Sequence, residues 1–94
     1  MELRELRYFL AVAREQNITK AAEALYISQP SLSKQMQNLE NEIGRPLFAR
    51  GRRKVTLTEA GILLKKRAEQ LLELYEKTEQ ELAAPEETVR GEVR

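Results

Sequence analysis

The sequence contains neither cysteine nor histidine. These two absences exclude disulfides, thiolate or imidazole metal sites, and catalysis by Cys or His. The chain also lacks a long apolar run that could span a membrane, and no signal-peptide pattern opens it. Its acidic residues lie mostly on one predicted exposed helix, so no convergent catalytic group is visible. We therefore expect a cytoplasmic protein that is not an enzyme and that uses no metal or cofactor.

The charge of the chain is unevenly distributed along its length. The 94 residues are 41% hydrophobic and 33% charged, which suits one small domain with an appended element. The net charge is only +1, yet residues 1–67 hold 13 Lys or Arg against 7 Asp or Glu, and residues 68–94 hold 3 against 8. A basic head is typical of nucleic-acid contact, because local cations neutralise phosphates.

Residues 17–43 are patterned as two short helices joined by a tight turn. Apolar residues recur at helical spacing in the first helix, at Ile18, Ala21, Ala22 and Leu25, and in the second, at Leu32, Met36, Leu39 and Ile43. Thr19 is the predicted N-cap of the first helix and Ser28 that of the second, with Pro30 in the second helix's first turn. The spacing predicts a helix-turn-helix.

The outer face of the second helix is polar. It presents amide, hydroxyl and ammonium groups, which hydrogen-bond to base edges and phosphates in a DNA major groove. The predicted DNA-contact residues of this recognition helix are Ser28, Gln29, Pro30, Ser33, Lys34 and Gln37. Taken alone, this pair of helices is equally compatible with an ordinary helical bundle whose polar face is merely solvated.

A basic segment follows directly. Gly44 and Pro46 end the second helix. Two apolar pairs flank a glycine-containing tip: Leu47 with Phe48, and Val55 with Leu57. This pattern predicts a short β-hairpin, or wing. Arg50, Arg52 and Arg53 are the predicted wing contacts to a phosphate backbone or a minor groove. The alternative is a solvated loop.

From Thr58 to about Ala84 the sequence predicts a long helix with a heptad seam. The predicted dimerisation residues are Leu64, Ala68, Leu71, Tyr75 and Leu82. Because Leu63 and Leu72 widen the apolar stripe, a helix folded back over its own core remains a competing interpretation. Residues 85–94 have the composition of a linker.

In its motifs the chain resembles the N-terminal DNA-binding region of a LysR-type transcriptional regulator. The residues that match are A-A-x-x-L, S-Q-P-x-L-S and L-x-x-E-I-G-x-P-L-F at fixed spacing, followed by R-R-K-V-T-L-T-x-A-G. The resemblance implies a mainly α fold: a winged helix-turn-helix of three helices plus a hairpin over residues 1–57, and a linker helix over 58–84 that forms a homodimer. It implies a hinge over 85–94 and sequence-specific binding to double-stranded DNA with an interrupted inverted repeat.

Four major-groove contacts are carried over by the resemblance, Gln29, Pro30, Ser33 and Lys34, with Arg52 and Arg53 on the wing. Lys34 stands where Arg is frequent, which replaces bidentate guanine recognition by a point charge. Glu59 stands where Pro is frequent. Members of the family continue into an effector-sensing domain and form higher oligomers. Since the terminal GEVR resembles the start of that domain, we expect a piece of a longer regulator that senses a small molecule elsewhere.

The main alternative function is a protein-interaction module in which the heptad helix docks on a partner. Added salt separates the two hypotheses, because counterion release weakens DNA binding steeply and an apolar helix interaction is insensitive to it.

Overall fold

A computed structural model of the chain describes residues 1–51 and 53–84. The elements in chain order are α1 (Leu3–Glu15), α2 (Ile18–Leu25), α3 (Gln29–Ile43), β1 (Phe48–Arg50), β2 (Val55–Leu57) and α4 (Glu59–Ala83). The predicted order of helix-turn-helix, hairpin and long helix is confirmed. Arg52 and the predicted hinge 85–94 lie outside the described residues.

The core forms where α1 packs against α2, α3 and α4. Its largest fully buried side chains are Phe9, Leu32, Met36, Leu39, Leu47 and Val12. The rings of Phe9 and Phe48 lie with their centroids 5.3 Å apart, which joins the first strand of the wing to α1. The buried stripe of α3 is the predicted one, so the opposite face of that helix is turned towards solvent.

Side-chain caps fix the starts of the helices. Ser28 accepts a hydrogen bond from the Ser31 N–H at 3.2 Å, and Thr58 accepts one from the Gly61 N–H at 3.1 Å, as predicted. The prediction of Thr19 as the cap of α2 is wrong. Asn17 caps this helix, because its Oδ1 lies 2.8 Å from the Lys20 N–H and the helix begins at Ile18.

The wing is a two-stranded antiparallel hairpin in which Phe48 pairs with Leu57 and Arg50 with Val55. The Gly51 N–H donates to the Lys54 carbonyl at 3.0 Å across the tip. The predicted hairpin is therefore confirmed.

Two further contacts attach the wing to the helices. The Glu40 carboxylate of α3 accepts the N–H groups of Leu47 and Phe48 at 2.8 and 3.2 Å, and the Val55 N–H donates to the Gln16 carbonyl at 3.0 Å. Each strand is thus fixed to a different part of the helical unit.

The first half of α4 packs on the winged helix-turn-helix of the same chain, residues 1–57, which we call the head. A Cβ atom at Gly61 would lie 2.2 Å from the Leu47 carbonyl oxygen, so only glycine allows this close approach. Ala68 is fully buried, and α4 packs against α1. Ala68 is one of the predicted dimerisation residues, and its burial shows that the small residues of the seam contact their own chain.

Candidate nucleic-acid interface

The outer face of α3 brings the predicted recognition residues together. Gln29, Pro30, Lys34 and Gln37 are exposed, and Ser33 is half-buried at the edge of the face. Ser28 lies at the helix start as its N-cap. Because residues three and four apart are neighbours on a helix, these side chains form one continuous surface.

One hydrogen bond orders this surface. The Gln29 Nε2 atom donates to the Ser33 Oγ atom at 2.9 Å. A carboxamide has two N–H donors and one carbonyl acceptor, so the second N–H and the oxygen of this exposed side chain remain available for a partner. This donor-acceptor pair matches the N7 and N6 edge of adenine in a major groove.

The wing places cations beside the start of α2. Arg50, Arg53 and Lys54 line a concave notch whose other wall is formed by residues 16–19. The first turn of α2 contributes backbone N–H groups and the positive end of the helix dipole to that wall. The notch therefore has the electrostatics that favour a phosphate group.

Sequence reasoning missed the α2 side of this notch. Thr19 is exposed there, in a polar first turn that faces the wing. The juxtaposition depends on the hydrogen bond between Val55 and Gln16, which are far apart along the chain. No local pattern reports such a contact, so the only available signal was the polar character of residues 16–20.

Two groups have shifted pKa values. The Glu42 carboxylate, near the end of α3, bonds to the Met1 ammonium and raises the pKa of that ammonium above its usual 8.0. The Glu79 carboxylate beside the Tyr75 hydroxyl raises the pKa of Tyr75 above its usual 10.0. Both groups therefore keep their protons at neutral pH, and the Met1 ammonium links the start of α1 to α3.

The second half of α4 exposes apolar side chains along one side. Leu71, Tyr75 and Leu82 are 46%, 40% and 77% exposed, and these are three of the predicted dimerisation residues. Leu64 is only half exposed because it packs against the core. Leu63 and Leu74, at 55% and 61%, join the exposed side although the heptad seam did not include them.

Other kinds of site are absent from the part of the chain that the structure describes. Residues 1–51 and 53–84 contain no cluster of three or more acidic side chains that would hold a metal ion. None of the helices α1 to α4 is both long and apolar enough to cross a lipid bilayer.

Three helices with a polar, outward-facing α3 and a basic hairpin define a winged helix-turn-helix, a class of DNA-binding domain. The chain belongs to the LysR family: residues 3–62 match the family model described as "Bacterial regulatory helix-turn-helix protein, lysR family". It therefore contains the DNA-binding domain of a family of transcriptional regulators and not of enzymes.

Similar proteins agree with this assignment. The HTH-type transcriptional regulator BudR of Klebsiella aerogenes is 66% identical over 61 residues, which cover 65% of this chain and 43% of that protein. A crystal structure of the BenM DNA-binding domain with catB site 1 DNA superposes with a TM-score of 0.84 at 48% identity, over 87% of this chain and 88% of that one.

A second DNA complex, that of the CbnR DNA-binding domain, has a TM-score of 0.81 at 37% identity and covers 100% of both chains. The chain spans less than half the length of the BudR regulator that it matches.

Proposed function

We propose that this chain binds double-stranded DNA sequence-specifically as a two-fold symmetric dimer. Each protomer inserts the start of α3 into the major groove of one half of an interrupted inverted repeat. The observation that carries the proposal is the exposed polar face of α3 lying beside a basic wing that two hydrogen-bonded contacts fix to the helices. The BenM and CbnR domains, which resemble this chain along most of its length, were crystallised with DNA.

The recognition helix reads bases through its first two turns. In this class of motif the N-terminal residues of the second helix contact base edges. Gln29 pairs with an adenine edge, and Pro30 offers an apolar surface to a thymine methyl group. Ser33 donates or accepts at the next position, and Lys34 binds a phosphate or a guanine edge as a point charge.

The wing binds the backbone beside the groove. Arg50 and Arg53 contact phosphates or an adjacent minor groove, and the notch against the first turn of α2 takes one phosphate. The exposure of both guanidinium groups and the adjoining cation Lys54 support this role. Arg52 is included from its place in the basic segment of the sequence.

Dimerisation uses the exposed apolar side of α4. Leu63, Leu71, Leu74 and Leu82 are spaced by eight, three and eight residues, an order that is the same in both chain directions. Two antiparallel copies therefore place Leu63 opposite Leu82 of the second copy, and Leu71 opposite its Leu74. Every exposed leucine then meets another leucine.

The charges on α4 favour the same orientation. Residues 59–67 hold three Lys or Arg against one Glu, whereas residues 68–83 hold one Lys against five Glu. A parallel pair would align each half with its like-charged copy, and an antiparallel pair aligns basic with acidic halves. Like charges across a helix pair destabilise it, so the antiparallel dimer is favoured.

These roles assign one function to each of three segments of the chain. Residues 1–57 bind DNA, residues 58–84 link the two protomers, and residues 85–94 lead towards an effector-sensing domain. The whole regulator acts on chromosomal DNA in the cytoplasm of a bacterium and responds to a small molecule through that further domain.

Selection of bound sequences from random duplexes tests the proposal. We expect an enriched inverted repeat with a central interruption, and an affinity that falls steeply as salt is added. A pool with no enriched motif would overturn sequence-specific binding. Self-association that persists in high salt, without any enrichment, would favour the protein-interaction module instead.

A further inference from the structure

Tyr26 is the most exposed large apolar side chain among the described residues, with 94% of its surface accessible. It is the C-cap of α2 and has the left-handed backbone conformation, with φ of 60°. Residues with a Cβ atom adopt this conformation at a cost, and glycine or asparagine is the usual occupant. Tyr26 therefore lowers the stability of the fold, and its ring gains almost no packing in return.

The position of Tyr26 connects it with the recognition helix. It lies two residues before Ser28, the N-cap of α3, and its N–H donates to the Ala22 and Glu23 carbonyls at the end of α2. Its backbone is thus fixed in place, and its side chain is left in solvent. By contrast Gln16, also left-handed, exposes a polar side chain, and its carbonyl accepts the Val55 N–H of the wing.

We propose that Tyr26 is a DNA-contact residue whose hydroxyl donates a hydrogen bond to a backbone phosphate at the edge of the groove that receives α3. The inference rests on the proposed function. Tyrosine hydroxyls are among the donors that position proteins on phosphates. A ring with two side-chain torsions also loses little conformational entropy on contact. Gln29 and Pro30 at the start of α3 occupy the major groove in this proposal. Tyr26, on the turn that leads into α3, would then face the wall of that groove.

Two variants separate this contact from a role in folding. Y26F removes only the hydroxyl and keeps the ring and backbone. Its affinity for the selected duplex should fall about tenfold, as expected for one hydrogen bond to a charged group. The salt dependence should stay unchanged, because a neutral donor releases no counterion. Y8F is the matched control: Tyr8 is half-buried on α1, so this variant should bind like the parent chain.

Y26N should change stability and affinity in opposite directions. Asparagine tolerates the left-handed conformation, so the unfolding temperature should rise by about 4 °C, the effect of relieving mild backbone strain in a domain of this size. The affinity should nevertheless fall. A Y26N chain that loses stability together with affinity would show a structural role and overturn the proposal.

A duplex series with single methylphosphonate substitutions locates the partner phosphate. At one symmetry-related position per half-site, the methylphosphonate should weaken binding by the parent chain and leave binding by Y26F unchanged. The effects of the methylphosphonate and of Y26F on affinity are then not additive. Additivity at every position, or a Y26F chain that binds as tightly as the parent, overturns the inference alone. Failure of the parent chain and Y8F to bind the selected duplex would instead overturn the proposed function.

Discussion

The Gln29 side chain combines a fixed position with an unused hydrogen-bonding edge. Its bond to Ser33 holds the amide against α3, and its remaining donor and acceptor are available for a further bond. A residue held in this way loses little further freedom when it meets a base, so we expect the contact proposed for Gln29 to contribute to sequence preference more than to general affinity.

Replacing Gln29 with alanine should therefore relax the preference at one base pair in each half-site. We expect a loss of discrimination of about 1–3 kcal/mol there, with the fold and the non-specific affinity retained. Selection from random duplexes measures the consensus. The matched control is Q35A, because Gln35 makes the same kind of bond to Ser31 at a half-buried position. An unchanged Q29A consensus would exclude Gln29 from base reading.

Replacing Gly61 with alanine should destabilise the protein, although the same replacement within a helix usually stabilises one. Glycine to alanine within a helix normally stabilises a protein by about 0.5–1 kcal/mol. Here the new methyl group would meet the Leu47 backbone carbonyl, so G61A should lower the free energy of unfolding by about 1–3 kcal/mol, as overpacking does. Chemical denaturation measures the change. A stabilised G61A chain would show that the start of α4 is free to move away from the wing.

At the scale of the elements, the wing is an extension of the helical unit. Glu40 holds one end of the hairpin through two N–H groups, and the Gln16 carbonyl holds the other strand. Arg50 and Arg53 are therefore presented at a fixed distance from α3, and the contribution to binding that we propose for them is electrostatic.

Alanine at both Arg50 and Arg53 should weaken binding to all duplexes alike. The slope of log affinity against log salt should become shallower by about 0.9 for each phosphate that the wing no longer neutralises. Fluorescence anisotropy over a salt series gives this slope. R4A is the control, since Arg4 is an exposed cation on α1 beside Glu2 and its replacement removes one positive charge away from the wing. An unaltered slope in the double variant would mean that the wing is only solvated.

The elements differ in how far the sequence revealed them. The stripe of α3 and the hairpin are local patterns of period and turn residues, and both were predicted. The cap of α2 was misplaced because Asn17 and Thr19 are both good N-caps and only the helix start decides between them. The burial of Ala68 within its own chain was not predicted, because a heptad pattern does not show whether its small residues approach a partner or the same chain.

At the scale of the whole molecule, α4 dominates the shape, and the described part measures 55 × 27 × 20 Å. The 25 residues of this helix extend about 37 Å at 1.5 Å per residue. Its first half belongs to the head, and its second half presents leucines that a monomer leaves in water. Leu63, which the sequence placed at the edge of the apolar stripe, and Leu74, which it did not single out, form a symmetric set with Leu71 and Leu82.

Glutamate at both Leu71 and Leu74 should convert the dimer to a monomer. These leucines lie at the centre of the proposed antiparallel pair, where two-fold symmetry would bring four added carboxylates together. Sedimentation equilibrium measures the mass. The control is I62E, because Ile62 is 60% exposed on another side of the helix. A parent chain that sediments as a monomer at high concentration would contradict the dimer itself.

Disulfide trapping distinguishes the two orientations of the helix pair, and the absence of native cysteine makes it direct. In an antiparallel pair, a mixture of L63C and L82C chains should form a mixed disulfide under mild oxidation, whereas L82C alone should remain reduced. Non-reducing electrophoresis resolves the products. Efficient cross-linking of L82C to itself would indicate a parallel pair.

The close contact between Gly61 and the Leu47 carbonyl makes the joint between head and α4 a fixed one. Because the helix is rigid and its contact with the rest of the domain is fixed, its length sets a distance. Each residue along it also rotates the helix surface by about 100°. In the dimer that we propose, the separation and the rotational phase of the two recognition helices are thus set by the same stretch of residues. If α4 links the two protomers as proposed, its length determines the spacing of the half-sites on DNA, although α4 lies at a distance from the residues proposed to contact bases.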